Sequence, residues 1–100
     1  MTPGERRQRD VKLAILEILR EEPAQTARDV YIADALAGSP RFFVLTPSAV
    51  RQRCSELRDV GGVVVREVEG VHLVTLAEAG RQHLDEILAL DGVTRVPEKR

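Results

Sequence analysis

Residues 46–80 read TPSAVRQRCSELRDVGGVVVREVEGVHLVTLAEAG, in the order helix, tight turn, β-hairpin and second helix. Thr46-Pro47-Ser48 has the form of a helix start, a hydroxyl cap followed by proline at the first helical position. Val50, Cys54 and Leu57 place one apolar stripe along that helix, which leaves Arg51, Gln52, Ser55 and Arg58 on other faces. Gly61-Gly62 stops it. Val63–Val68 and Val71–Val74 are rich in β-branched residues and flank Glu69-Gly70, so they read as a two-stranded hairpin with a tight turn, within a wing that runs from Val63 to Leu76. A further helix is expected from about Ala77 to Leu90, with Gly80, Leu84, Ile87 and Leu88 on its buried face.

Working outward, a first helix is expected from about Arg9 to Arg20. Val11, Ala14, Ile15, Ile18 and Leu19 fall at the spacing of a single core-facing stripe. Leu13 and Leu16 lie off that stripe, and their excess points to a second contact, such as a dimer partner. Thr26-Ala27-Arg28-Asp29 has the form of a capping box for a second helix that buries Val30, Ala33, Leu36 and Ala37 and ends at Gly38. The link Ser39–Leu45 holds Phe42 and Phe43, at least one of which should plug the core. Residues 1–9 read as a flexible basic tail, 10–90 as the folded domain and 91–100 as a second flexible tail.

One hundred residues suffice for one domain with a modest core. No apolar run approaches the length of a membrane span, and the amino terminus lacks the apolar centre of a signal peptide. A cytoplasmic protein is the expectation. Cys54 is the single cysteine, so no internal disulfide forms, and its place on the apolar stripe makes it a small buried hydrophobe. His72 and His83 have no ligand-like spacing, and no phosphate loop or nucleophile motif occurs, so neither an enzyme nor a metal or other cofactor is expected.

Net charge is −1, but its distribution is uneven. Residues 41–66 carry five arginines against Glu56 and Asp59, whereas residues 67–100 carry four basic and seven acidic side chains. The positive charge sits on the helix from Thr46 and its approach, a local patch on an acidic body.

The order helix, helix, helix, strand, strand, helix resembles the winged helix-turn-helix transcription regulators of bacteria and archaea, the group that includes MarR-like and PadR-like repressors. Residues 50–66 look like that group's recognition helix and first wing strand, and Leu76–Leu84 like its "LTeaGr..L" segment. The resemblance spans about residues 10–90. Ala77 stands where the group has a capping threonine, with Thr75 as the alternative cap. The seven-residue Ser39–Leu45 link also exceeds the usual turn.

The resemblance implies an α+β fold of three helices, a two-stranded wing and a fourth helix. Its implied function is sequence-specific binding of double-stranded DNA by a homodimeric transcriptional regulator. With the helix at 47–59 in the major groove, Ser48, Arg51, Gln52 and Ser55 face outward. Arginine pairs with guanine and glutamine with adenine. Arg41, Thr46 and Ser48, near the helix start, suit phosphate contacts. Arg53 and Arg58 lie further round, where they reach phosphate or pair with Glu56 and nearby acids, and Arg66 stands at the wing base. The wing tip, Glu67-Val68-Glu69-Gly70, carries two carboxylates that phosphate repels. That acidic tip and the Phe42-Phe43 pair suit an alternative, a winged helix used as a protein-interaction module. A phage or plasmid replication or excision factor is a third reading that shares the DNA chemistry.

Overall fold

The hydroxyl of Thr2 accepts the backbone N–H of Glu5 at 3.1 Å, and Pro3 follows it at the first helical position, so the first helix begins well before Arg9. The structure is a computed structural model that describes residues 1–39, 42 and 45–96. It contains α1 (Pro3–Glu21), β1 (Thr26–Arg28), α2 (Asp29–Ala37), α3 (Pro47–Asp59), β2 (Val63–Val68), β3 (Val71–Leu76) and α4 (Glu78–Leu84). The class is α+β, with four α-helices and an open antiparallel sheet of three strands in the order β1-β3-β2.

Helix α1 lies at the centre. It touches α2, α3, α4 and β3, which is why its buried set is as broad as Val11, Leu13, Ile15, Leu16 and Leu19. Leu13 and Leu16, expected to face a second molecule, are instead 2% and 0% exposed within their own domain. A stripe drawn for one neighbouring surface undercounts a helix that has four. Burial of each such leucine contributes about 1.5–3 kcal/mol.

Thr26 does not cap α2. It lies on β1, where its hydroxyl donates to the Ala24 carbonyl at 2.9 Å and lies 2.9 Å from the Thr75 hydroxyl. β1 pairs with β3 through Thr26↔Thr75, Ala27↔Val74 and Arg28↔Leu73, adding a third strand to the expected two-stranded hairpin. The partner strand lies far along the chain, so a local four-residue pattern cannot register it. Thr75, so engaged, does not cap α4 either; Ala77 holds that position without a side-chain bond. Helix α2 buries Asp29, Ile32, Ala33 and Leu36, and leaves Val30 and Ala37 exposed, contrary to the expected stripe. Phe42 is buried, as expected of one phenylalanine; Phe43 lies outside the described residues.

The hairpin runs from Val63↔Leu76 to Val68↔Val71. Glu69 and Gly70, at φ 51° and 81°, form the left-handed two-residue turn that matches strand twist. Helix α4 is shorter than expected. It ends at Leu84, Ile87 is 69% exposed, and Leu90 and Val93 enter the core in its place. His83 organises this ending: the Leu90 N–H donates to its Nδ1 at 2.9 Å, and its Nε2 lies 2.9 Å from the Thr94 carbonyl. Thr94 in turn donates from Oγ1 to Asp10 and from its backbone N–H to the Arg9 carbonyl. Residues 93–96, expected to be a loose tail, are therefore docked on α1; residues 97–100 lie outside the described set.

Candidate nucleic-acid interface

Helix α3 forms as its sequence dictates. Thr46 Oγ1 accepts the Ala49 N–H at 3.1 Å, and Val50, Cys54 and Leu57 are buried. At its end the Gly61 N–H bonds to the Arg58 carbonyl at 3.0 Å and the Gly62 N–H to the Leu57 carbonyl at 2.8 Å. This double closure, with Gly61 at φ 82°, turns the chain directly into β2. The Gly62 carbonyl then accepts the Ala77 N–H at 3.0 Å, which joins the helix end to the start of α4. Helix and hairpin are thereby held in one mutual orientation.

Burial of one face of α3 fixes what the other presents. Ser48, Arg51 and Gln52 are exposed and Ser55 is half-buried; their spacing of three and four places them on one face. Arg53 is held instead against α1, its side chain only 17% exposed, with Nε 3.0 Å from Glu56 Oε1 and Nη2 donating to Oε2 at 3.1 Å. Lys12 joins the same carboxylate from α1 at 3.1 Å. Arg58 pairs with Asp59 at 3.4 Å, with both side chains open to solvent. Arg66 is exposed on β2, across β3 from Arg28, since Leu73 pairs with both. Arg41 lies outside the described residues. Thr46 is exposed, and its hydroxyl is occupied by the helix cap.

The residue missed by sequence reasoning is Asp29. It is 3% exposed at the start of α2, where Oδ1 accepts the Val30 N–H at 2.9 Å. Its Oδ2 accepts the Arg51 Nε–H at 2.9 Å and lies 2.7 Å from Arg51 Nη2 in the same ion pair. The Thr26–Asp29 pattern hid this role, because a carboxylate near a helix start reads as a cap. Only the packing of α2 on α3 brings position 29 to position 51.

The hairpin tip is acidic. Glu67 lies 3.6 Å from His72 Nε2, and Glu69 is exposed in the turn. Cys54 is buried, and desolvation, with the Asp29 charge adding to it, pushes its thiol up to about 12. Among the described residues no group of three or more His, Cys, Asp or Glu is placed to hold a metal ion, and no helix is long and apolar enough to cross a membrane.

No protein-family model matches the chain, and no curated protein matches it.

Proposed function

We propose that this chain is a small winged-helix regulator that binds double-stranded DNA sequence-specifically in the cytoplasm. Helix α3 enters the major groove, and the β2–β3 hairpin serves as the wing. The single observation that carries the proposal is the outward face of α3, where Ser48, Arg51 and Gln52 stand exposed on a helix whose other face is locked into the core. Arginine and glutamine on one face are the side chains that pair two bonds at a time with guanine and adenine edges. Ser48, in the first turn at the positive end of the helix, suits a phosphate through its hydroxyl. Arg53, pinned under Glu56, and Arg58, paired with Asp59, contribute charge near the helix rather than base contacts.

The protein acts as a homodimer, so that two α3 helices meet half-sites about one helical turn apart. With Leu13 and Leu16 buried in the core, the seam falls to the segment after α4, where Ile87 and Leu88 are exposed side by side.

The test is selection of duplex fragments from a genomic library, followed by anisotropy at two salt concentrations with wild type and Arg51→Ala/Gln52→Ala. Selective binding that weakens with salt and is lost in the double variant supports the reading. Absence of selective binding by the folded wild type overturns it.

One observation favours a second reading, a protein-interaction module. Val64 and Val68 are 50% and 47% exposed on the outer face of the sheet, beside the acidic hairpin tip. Affinity for a protein partner through such a face would respond little to salt.

A further inference from the structure

A guanidinium group has two edges that can each donate a parallel pair of bonds. In Arg51 the edge formed by Nε and Nη2 is committed to Asp29 Oδ2, at 2.9 and 2.7 Å. The carboxylate cannot follow if the arginine moves away, because Asp29 is 3% exposed and its other oxygen holds the Val30 N–H. The Arg51 side chain is nonetheless 49% exposed. Its second edge, formed by Nη1 and the remaining Nη2 hydrogen, therefore points away from the carboxylate. That edge is the one whose spacing matches the O6 and N7 acceptors of guanine.

Resting on the assignment of α3 as the reading helix, we propose that Asp29 is a positioning residue that presets Arg51 to select guanine at one defined position of each half-site. An arginine free in solvent loses rotamer freedom when it docks, and it can turn to a phosphate instead of a base. Asp29 removes both alternatives before binding. The ion pair also leaves the guanidinium plane fixed, so an offset or substituted base meets it badly. Lysine at position 51 keeps the charge but lacks the two-edged plane, and cannot hold Asp29 and a base together in this way.

The experiment is selection from a randomised duplex library with wild type, Arg51→Lys and Asp29→Ser, each checked for folding by circular dichroism and thermal melting. Serine retains a short side chain able to accept the Val30 N–H while removing the carboxylate. Wild type is expected to enrich sites with one invariant guanine per half-site. Arg51→Lys and Asp29→Ser are both expected to lower the preference for that guanine roughly tenfold. Binding of Asp29→Ser to mixed-sequence DNA at low salt should not weaken, since a negative charge is removed. Replacing the guanine with 7-deazaguanine, which lacks the N7 acceptor, should weaken wild type more than Arg51→Lys, whose ammonium meets O6 or N7 as a point charge and not from a fixed plane. This arm needs no variant of Asp29.

A folded Asp29→Ser protein that keeps the full guanine preference overturns the positioning role while α3 remains the reader. An enriched site with no base that responds to Arg51→Lys overturns the guanine assignment. Failure of the wild type to select any sequence removes the DNA-binding reading itself, and this inference with it.

Discussion

Gly80 of α4 sits against the carbonyl of Gly62, so closely that a Cβ on Gly80 would collide with that oxygen and with the Leu76 side chain. The Gly62 carbonyl is already fixed by the Ala77 N–H at 3.0 Å, and a Cβ on Gly62 would in turn meet Leu90. Two glycines thus let the end of α3, the start of α4 and the sheet approach one another at backbone distance.

Gly80→Ala should accordingly destabilise the domain by roughly 1–3 kcal/mol, despite the better helix propensity of alanine. For a chain of this size the melting temperature should fall by several degrees per kcal/mol. Thermal denaturation followed by circular dichroism measures it. An unchanged or raised melting temperature would mean that α4 can lift off the turn at no cost.

Arg51→Ala should cost more stability than a surface arginine does. It leaves the buried Asp29 carboxylate held by the Val30 N–H without its cationic partner, a loss of about 1–3 kcal/mol. Arg58→Ala, from an exposed pair, should change stability by less than about 1 kcal/mol. Urea denaturation of the two variants gives the comparison, and equal losses would contradict it.

Cys54 supplies the pH dependence. Burial raises its thiol from an ordinary 9.0 to about 12 in the folded chain. Below pH 9 both states keep the proton, and stability from this group is fully present. Between about pH 9 and 12 the unfolded thiol ionises while the folded one does not, so stability falls, by at most ~1.4 kcal/mol per pH unit. The difference between wild type and Cys54→Ala in denaturant melts over that range should shrink as pH rises. At pH 8 the native thiol should resist a maleimide that labels it promptly in denaturant.

His83→Ala should release the segment after α4. It removes the acceptor for the Leu90 N–H and the ring nitrogen bonded at the Thr94 carbonyl, both in a buried setting. Hydrogen exchange at Leu90, Val93 and Thr94 is expected to accelerate by tenfold or more, with the hairpin amides little changed. Uniform acceleration across the domain would instead assign His83 to the global core.

Ile87→Ser and Leu88→Ser test the dimer seam. Neither should lower the melting temperature of a monomer much, since Ile87 is 69% and Leu88 37% exposed. Both should shift sedimentation equilibrium toward monomer if these side chains meet in the dimer. A wild type that remains monomeric at the highest soluble concentration would show that the seam is elsewhere or forms on DNA.

Helix α3, its two-glycine ending and the β2–β3 hairpin were legible because each is specified by neighbours in sequence. A hydroxyl cap and proline start the helix, spacing sets its buried face, and Glu69-Gly70 adopts a two-residue turn whose twist matches the strands. The limits of α4 were not legible. Residues 77–90 have helical apolar spacing, yet the bonds of His83 to Leu90 and Thr94 favour a bend after Leu84. The apolar pattern understates helix α1 at both its start and its breadth, since Thr2-Pro3 caps it early and α2, α3, α4 and β3 all pack on it.

The information legible along the chain is thus local. It set the identity of α3 and the hairpin, the burial of Val50, Cys54 and Leu57, and the outward placement of Ser48, Arg51 and Gln52. Tertiary structure alone decided the third strand, through Thr26 meeting Thr75, and the tie between Asp29 and Arg51. The physical reason is range. Caps, turns and amphipathic periods act over a few residues, whereas strand pairing and an ion pair on a buried carboxylate join positions 49 and 22 apart, once the core has brought them within bonding distance.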